Sequence, residues 1–325
     1  MILLTGGTGF VGSHVLERLR ADGAPVRCLV RPKAGRTVDA GSLGATEVVA
    51  GDLETGAGLE EALAGVETVI HLAGITKALR REEYYDGNVR ATTNLLLAMA
   101  GGGARLVHVS SLAAIGPSEA ANRPVDAETE PHPLSDYGRS KLEGERLVRA
   151  SLPDAVIVRP PVVYGPRDTD VFQFLKPVAK GWSLQMTGGE RWFSAIYVGD
   201  LAAGLVRLAA SPAGAGRTYY MAHRGPVSWS GLAKCAARIM GVKLRVVRIP
   251  PALALAIGEC ADGWAQLTGK PGIISEEKMI EGRCAAWTCD TQPARAELGF
   301  EATTDLEHGL AETLQWYKEA GWLSY

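Results

Sequence analysis

Cysteine is scarce in this 325-residue chain: Cys28, Cys235, Cys260, Cys284 and Cys289 are scattered, odd in number and free of any Cys-x-x-Cys pair. That excludes the common zinc spacings and argues against a disulfide framework, so the thiols are expected in the core. The six histidines include no His-Glu-x-x-His run. Charge of one sign is also lacking. Lys+Arg 34 against Asp+Glu 36 leaves −2, with no basic excess to neutralise phosphates, so nucleic acid is excluded as the expected partner. No basic start precedes a long apolar run, which argues against a signal peptide and makes the cytoplasm the expected compartment. The most apolar stretch, Pro250–Leu267, is broken by Glu259 and Asp262 and is too short to span a bilayer. It reads as an amphipathic helix over a substrate cleft, with an ordinary core helix as the alternative; membrane association through it stays open.

Hydrophobic residues at 46% and charged ones at 22% describe a globular chain. Its length fits one large domain or two closely joined ones. Short apolar runs alternate with helical spacing: strands at Ile2–Leu4, Val26–Val30, Glu47–Val49, Thr68–Leu72, Leu106–Val109 and Ala155–Val158, and helices at Gly12–Arg20, Leu59–Ala64, Asn88–Ala100 and Tyr137–Ala150. This order predicts an α/β fold, a Rossmann-type doubly wound parallel sheet with ligands at the strands' carboxyl ends. From about Tyr164 the rhythm breaks. Residues 1–163 are therefore read as the nucleotide-binding domain. Residues 164–325 are read as a smaller C-terminal substrate-binding portion, with segments returning to the sheet.

The first strand runs into Thr5-Gly6-Gly7-Thr8-Gly9-Phe10-Val11-Gly12. Gly6, Gly9 and Gly12 serve a tight turn, close approach of backbone to a diphosphate, and helix–strand packing; Phe10 and Val11 open the helix whose N-terminus binds the anion. The second strand ends in Val30-Arg31-Pro32 without the acidic residue that binds both ribose hydroxyls in NAD sites. Arg31, helped by Lys33 or Arg36, is placed to grip a 2′-phosphate. NADP is therefore the favoured cofactor and NAD the alternative. Asp52, before Leu53, follows the third strand and either accepts from the adenine amino group or caps its own turn.

Tyr137 and Lys141 form Tyr-x-x-x-Lys, one face of a helix. A free phenol has a pKa of about 10, and a nearby ammonium lowers it toward the range of a useful proton donor and acceptor. Ser110-Ser111 ends a strand 26 residues upstream of Tyr137, where a hydroxyl holds a carbonyl oxygen.

With these motifs the chain resembles the extended short-chain dehydrogenase/reductase superfamily, closest in pattern to the steroid-dehydrogenase and dihydroflavonol-reductase branch. Further markers run in order along nearly the whole length: Gly51-Asp52-Leu53, His71-Leu72-Ala73-Gly74, Asn88-Val89 with Asn94-Leu95, Arg159-Pro160-Pro161 with Tyr164-Gly165-Pro166, and Tyr197–Ala202. The resemblance implies an NAD(P)-binding enzyme with Ser111 polarising the substrate oxygen and Tyr137 as general acid/base. It assigns Lys141 to the nicotinamide ribose, makes Leu72, Ala73, Gly74, Tyr137 and Pro160 cofactor neighbours, and implies a homodimer joined through the helices at Asn88–Ala100 and Tyr137–Ala150. Ser110 is read as structural.

Nucleotide-sugar members of the superfamily carry an Asn three residues after the sixth-strand Arg and an Arg shortly before the later Val-x-Asp. Here those positions are Val162 and Phe193, with Arg191 as a possible substitute. Burying a diphosphate without donors is costly. The expected reaction is therefore carbonyl–alcohol interconversion on a largely apolar small molecule. An epimerase or dehydratase with tightly held cofactor, and a non-catalytic NAD(P)H-binding protein, are the alternatives.

Overall fold

The computed structural model describes residues 1–32, 40–272 and 274–325; Lys33 and Arg36 lie outside the described residues. Seven strands make the central sheet: β1 (Ile2–Thr5), β2 (Val26–Val30), β3 (Glu47–Ala50), β4 (Thr68–His71), β5 (Arg105–Val109), β6 (Val156–Val158) and β7 (Thr218–Tyr219). Their order is β7-β6-β5-β4-β1-β2-β3, and every pairing is parallel. Parallel strands are covered on both faces, which is why they read as unbroken apolar runs. Successive residues serve opposite faces. Leu4 and Ile70 pack with Val15 and Leu205, whereas Leu3 and Val69 pack with Leu95 and Val148.

The helices that matter below are α1 (Phe10–Ala21), α2 (Ala91–Met99), α3 (Asp136–Ser151), α4 (Val198–Ala210), α5 (Pro251–Thr268) and α6 (Glu276–Arg283). Residues of α1 and α4 cover one face of the sheet and those of α2 and α3 the other. The chain is therefore doubly wound. After β3 it returns past β1 to start β4 on the other side, and the gap between β1 and β4 is the topological switch point. Residues 198–219 add α4 and β7 to this sheet although they lie in the second half of the sequence. Asp200, at the start of α4, accepts from Thr304 N (3.0 Å) and from the hydroxyls of Thr303 and Thr304, a structural tie.

Three expectations need correction. The segment read as one helix from Asn88 is a π-helical turn, Tyr85–Arg90, followed by α2; such wide turns present side chains that a regular helix would turn elsewhere. The apolar stretch Pro250–Leu267 does form a helix, α5, but not an ordinary core helix. Only Ala254, Gly258 and Ala265 are buried, and they face α6, with a Cβ on Gly258 falling 2.9 Å from Glu276 Cα. α6 in turn stands beside Tyr137, which feels the charges of Lys278 and Glu281. Cys28 and Cys289 are buried as expected, while Cys260, on α5, is exposed. Trp229 packs on Phe193 with centroids 4.2 Å apart, whereas Trp182, Trp192 and Trp264 are on the surface.

Candidate active site

Parallel strands point their carboxyl ends the same way, so the turns after β1–β6 gather Gly6, Arg31, Asp52, Leu72–Gly74, Ser111 and Pro160 along one edge. Gly6 adopts φ +75°, a left-handed conformation that favours glycine. A Cβ there would lie 2.7 Å from Ala73 N, so the β1 turn touches the β4 turn across the switch point. A Cβ on Gly12 would fall 2.1 Å from Gly6 O, and one on Gly9 3.2 Å from it. Gly9 is the N-cap of α1 and offers no side-chain cap to its first N–H groups; Phe10 and Val11 stand half-buried behind it. Bare backbone at an uncapped helix N-terminus fits a dinucleotide diphosphate. Gly12→Ala should weaken NADPH binding by roughly tenfold or more, equivalent to about 1.4 kcal/mol. Fluorescence titration of NADPH measures it, and an unaltered dissociation constant would remove the cradle from cofactor binding.

The β4 end is fixed from beneath. Thr5 Oγ1 accepts from Ala73 N (3.2 Å) and bonds His71 Nδ1 (2.7 Å). Burial drives the His71 imidazole down to about 3, so it stays neutral. Asn88, lifted by the π turn, accepts from Ile75 N (2.7 Å) and donates to Ile75 O (3.0 Å) and Ser140 Oγ (2.9 Å). It thereby clamps the Gly74 loop to α3. Pro160 O accepts from Leu112 N (2.9 Å), tying the β6 end to the Ser111 turn.

At the β2 end, Arg31 donates to Glu54 (2.6 Å) and lies 3.4 Å from Asp52 Oδ2. Asp52 Oδ1 accepts from Glu54 N (2.8 Å), so it closes its own turn, and the next residue, Leu53, is buried beneath it. The sequence foresaw Arg31 and Asp52 as independent groups; the fold makes them neighbours.

Tyr137 and Lys141 lie one turn apart on α3, which Ser135 caps by accepting from Gly138 N (3.2 Å). Gly138 is needed there, because a Cβ would come 2.4 Å from Ala113 O in the turn that carries Ser111. That contact sets phenol and hydroxyl beside one another, with Ser111 near enough to draw the phenol pKa down. Ser111 also accepts from Ala113 N (3.1 Å). Ser110 Oγ is buried and unpartnered among the described residues.

The electrostatics differ from the expectation that Lys141 lowers the tyrosine pKa. Lys141 is buried and donates to Val109 O (2.8 Å); burial pushes its ammonium down to about 8, with Glu145 opposing. The Tyr137 phenol is raised instead, chiefly by burial, with Ser111 and the Lys278 charge pulling the other way. Lys278 lies on α6, far downstream, and pairs with Glu281 at 2.7 Å. Its pKa is raised although burial opposes its charge, because Glu281 outweighs that cost. Glu277, also on α6, accepts from Asp136 N at the start of α3 (2.7 Å). Asp170, paired with Lys77, adds further charge toward Tyr137. The wall facing the phenol is thus polar, and sequence reasoning singled out none of Lys278, Glu281 or Asp170. No local motif marks them.

Beneath the site, Arg159 and Glu145 form a buried pair at 2.6 Å, and Arg159 also donates to Tyr220 OH (3.0 Å). Next to α6, the Arg191 guanidinium donates to the carbonyls of Gly282 (2.9 Å), Gly189 (2.7 Å), Thr187 (3.0 Å) and Met186 (3.3 Å). Phe193 is buried against Trp229.

A diphosphate cradle at the switch point of a doubly wound sheet, beside a Ser, Tyr and Lys cluster, defines a nucleotide-cofactor enzyme of the oxidoreductase and epimerase kind. The chain belongs to the NAD dependent epimerase/dehydratase family, whose model matches residues 2–222, within the extended short-chain dehydrogenase/reductase superfamily. It is 34% identical to the ceramide reductase of Caulobacter vibrioides, covering 99% of this chain and 96% of that one. It is 28% identical to the N-acetyl-alpha-D-glucosaminyl-diphospho-ditrans,octacis-undecaprenol 4-epimerase of Escherichia coli, over 97% and 94%. Among solved structures, the crystal structure of gox2253 superposes with a TM-score of 0.78 at 27% identity, covering 100% of this chain and 99% of that one.

Proposed function

We propose that this protein is an NADP-preferring reductase that interconverts a carbonyl and a secondary alcohol at the polar end of a lipid-like substrate. The observation that carries the reading is the state of Arg191. Four backbone carbonyls occupy its guanidinium, Phe193 is packed away, and Val162 is apolar. None of the three offers a free donor to a sugar-nucleotide diphosphate, whose charge could not be buried without partners. The charged wall at Tyr137 suits a polar head, and the two named relatives carry lipid words in their names, ceramide and undecaprenol.

In the reduction direction the chain must deliver a proton. Burial raises Tyr137 above the usual phenol value, so it holds its proton at neutral pH and acts as general acid toward the carbonyl oxygen. Ser111 hydrogen-bonds that oxygen and fixes it beside the phenol. Lys141, cationic below about pH 8, faces the ribose side of the cleft; Gly74 lies next to it, with a Cβ there 3.7 Å from Lys141 Nζ. The bound nicotinamide supplies or accepts hydride at the carbon. The residues of the glycine turn, with Leu72–Gly74 and Pro160, hold the cofactor.

Arg31 carries the NADP preference. It is 52% exposed, and surface ion pairs of its kind are worth at most about 1 kcal/mol, so a 2′-phosphate can draw it from Glu54. Arg31→Ala should weaken NADPH by about tenfold and leave NADH nearly unchanged in parallel titrations; equal weakening would sink the assignment. A homodimer through α2 and α3 completes the proposal, and Leu97 on α2, 69% exposed, is an apolar contact available to it. The epimerase reading is favoured by the undecaprenol-linked relative, among others, and net cofactor turnover separates the two.

A further inference from the structure

We infer that α5 and the strand pair leading into it form a docking face for an anionic lipid bilayer, with α5 lying in the plane of the membrane surface. On a helix of 3.6 residues per turn, Leu253, Ile257, Cys260, Trp264 and Leu267 fall on one side. All five are exposed, Trp264 at 69% and Leu267 at 84%. The seam that packs on α6, Ala254, Gly258 and Ala265, lies on a different side. A water-exposed stripe of this length, on a helix that already has a partner on another face, calls for a second apolar contact.

The strands Trp182–Met186 and Arg245–Ile249 pair in parallel, with Trp182 opposite Arg245 and Leu184 opposite Val247. Trp182, Leu184 and Val247, which share one face of this pair, are all exposed. The second strand passes through Pro250 directly into α5, so the two apolar surfaces are continuous along the chain. No helix of the described residues is long and apolar enough to cross a membrane.

Charge selects the occupant. Lys180, Lys243, Arg245, Arg248 and Lys270 flank this region, all are exposed, and none makes an ion pair among the described residues. The chain as a whole carries −2, so this is a local concentration of cations. Of the nearby acids, Asp262 is engaged with Glu276 N (2.8 Å) and Glu259 lies on another face of α5. Anionic headgroups complement the cations. A second copy packed through the same patch by two-fold symmetry would set them against themselves.

The face is also coupled to the reaction centre. α5 packs on α6, and α6 carries the Glu277 contact to Asp136 N and the Lys278 charge felt by Tyr137. A bilayer seated on α5 would lie behind the wall of the cleft, where a lipid substrate enters. The apolar stripe and its cations do not depend on the reaction; only the coupling to the cleft rests on the reductase reading. Vesicle binding is scored without turnover, so each can fail alone.

The full-length protein should float with phosphatidylglycerol/phosphatidylcholine vesicles, and less as salt rises. Trp264→Glu/Leu267→Glu should lower the bound fraction at least tenfold, and Arg245→Glu/Arg248→Glu should lower it on the anionic vesicles alone. NADPH affinity, unchanged in both, shows that the variants fold. A wild-type protein that stays in the aqueous fraction overturns the inference. So does a Trp264→Glu/Leu267→Glu variant that binds vesicles as wild type does, or one whose change is a shift from dimer to monomer in sedimentation.

Discussion

Tyr137→Phe should lower turnover by about 10²–10⁴-fold, the usual worth of a positioned general acid, with the NADPH dissociation constant unchanged. The substitution removes one oxygen and leaves the ring against Tyr84, whose centroid is 6.2 Å away. In the proposed enzyme, cofactor binding rests on the glycine turn and the β4 end rather than on the phenol oxygen. Single-turnover oxidation of bound NADPH isolates the step. A rate within threefold of wild type would take Tyr137 out of the mechanism. A parallel loss of NADPH affinity would make it a binding residue instead.

Glu145→Ala should cost about 3–5 kcal/mol of stability, because it strands a buried guanidinium. Arg159 is held by Glu145 through both carboxylate oxygens, and by Tyr220 OH; Glu145 raises its pKa against the burial that opposes it. Glu145 sits one turn beyond Lys141 on α3 and supports that ammonium too, so the variant should also push the lysine pKa below about 8. Replacing both partners, Glu145→Leu with Arg159→Leu, should recover most of the loss, as paired apolar replacements of buried ion pairs do. Urea unfolding with two probes measures both. A Glu145→Ala loss below about 1 kcal/mol would mean that water reaches the pair.

The central sheet was legible because parallel strands buried on both faces write themselves as apolar runs: β1 to β6 appear where Leu3, Leu4, Val69 and Ile70 predict them. The two-residue strand β7 carries no such run, and its pairing is fixed by β6 rather than by its own sequence. The glycine turn and the Tyr137–Lys141 pair were legible for a different reason, since each is spaced within one turn or one helix. What stayed hidden was produced by tertiary approach. Lys278 and Glu281 reach the phenol only because α6 folds back over α3, and no spacing links residue 278 to residue 137. The π turn differs from a regular helix only in reaching one residue further for each hydrogen bond, too small a signature for apolar periodicity to register. Arg191 was visible as an arginine near the right place. Only the structure shows that carbonyls already occupy it.

The most direct test follows NADPH absorbance with purified protein, set against a panel of long-chain keto amphiphiles, compact apolar ketones and keto nucleotide sugars. Stoichiometric oxidation of NADPH is expected with a long-chain ketone bearing a polar end, and none with the Tyr137→Phe variant. Conversion of a nucleotide sugar with no net change in cofactor would contradict it, and would place this protein among the epimerases.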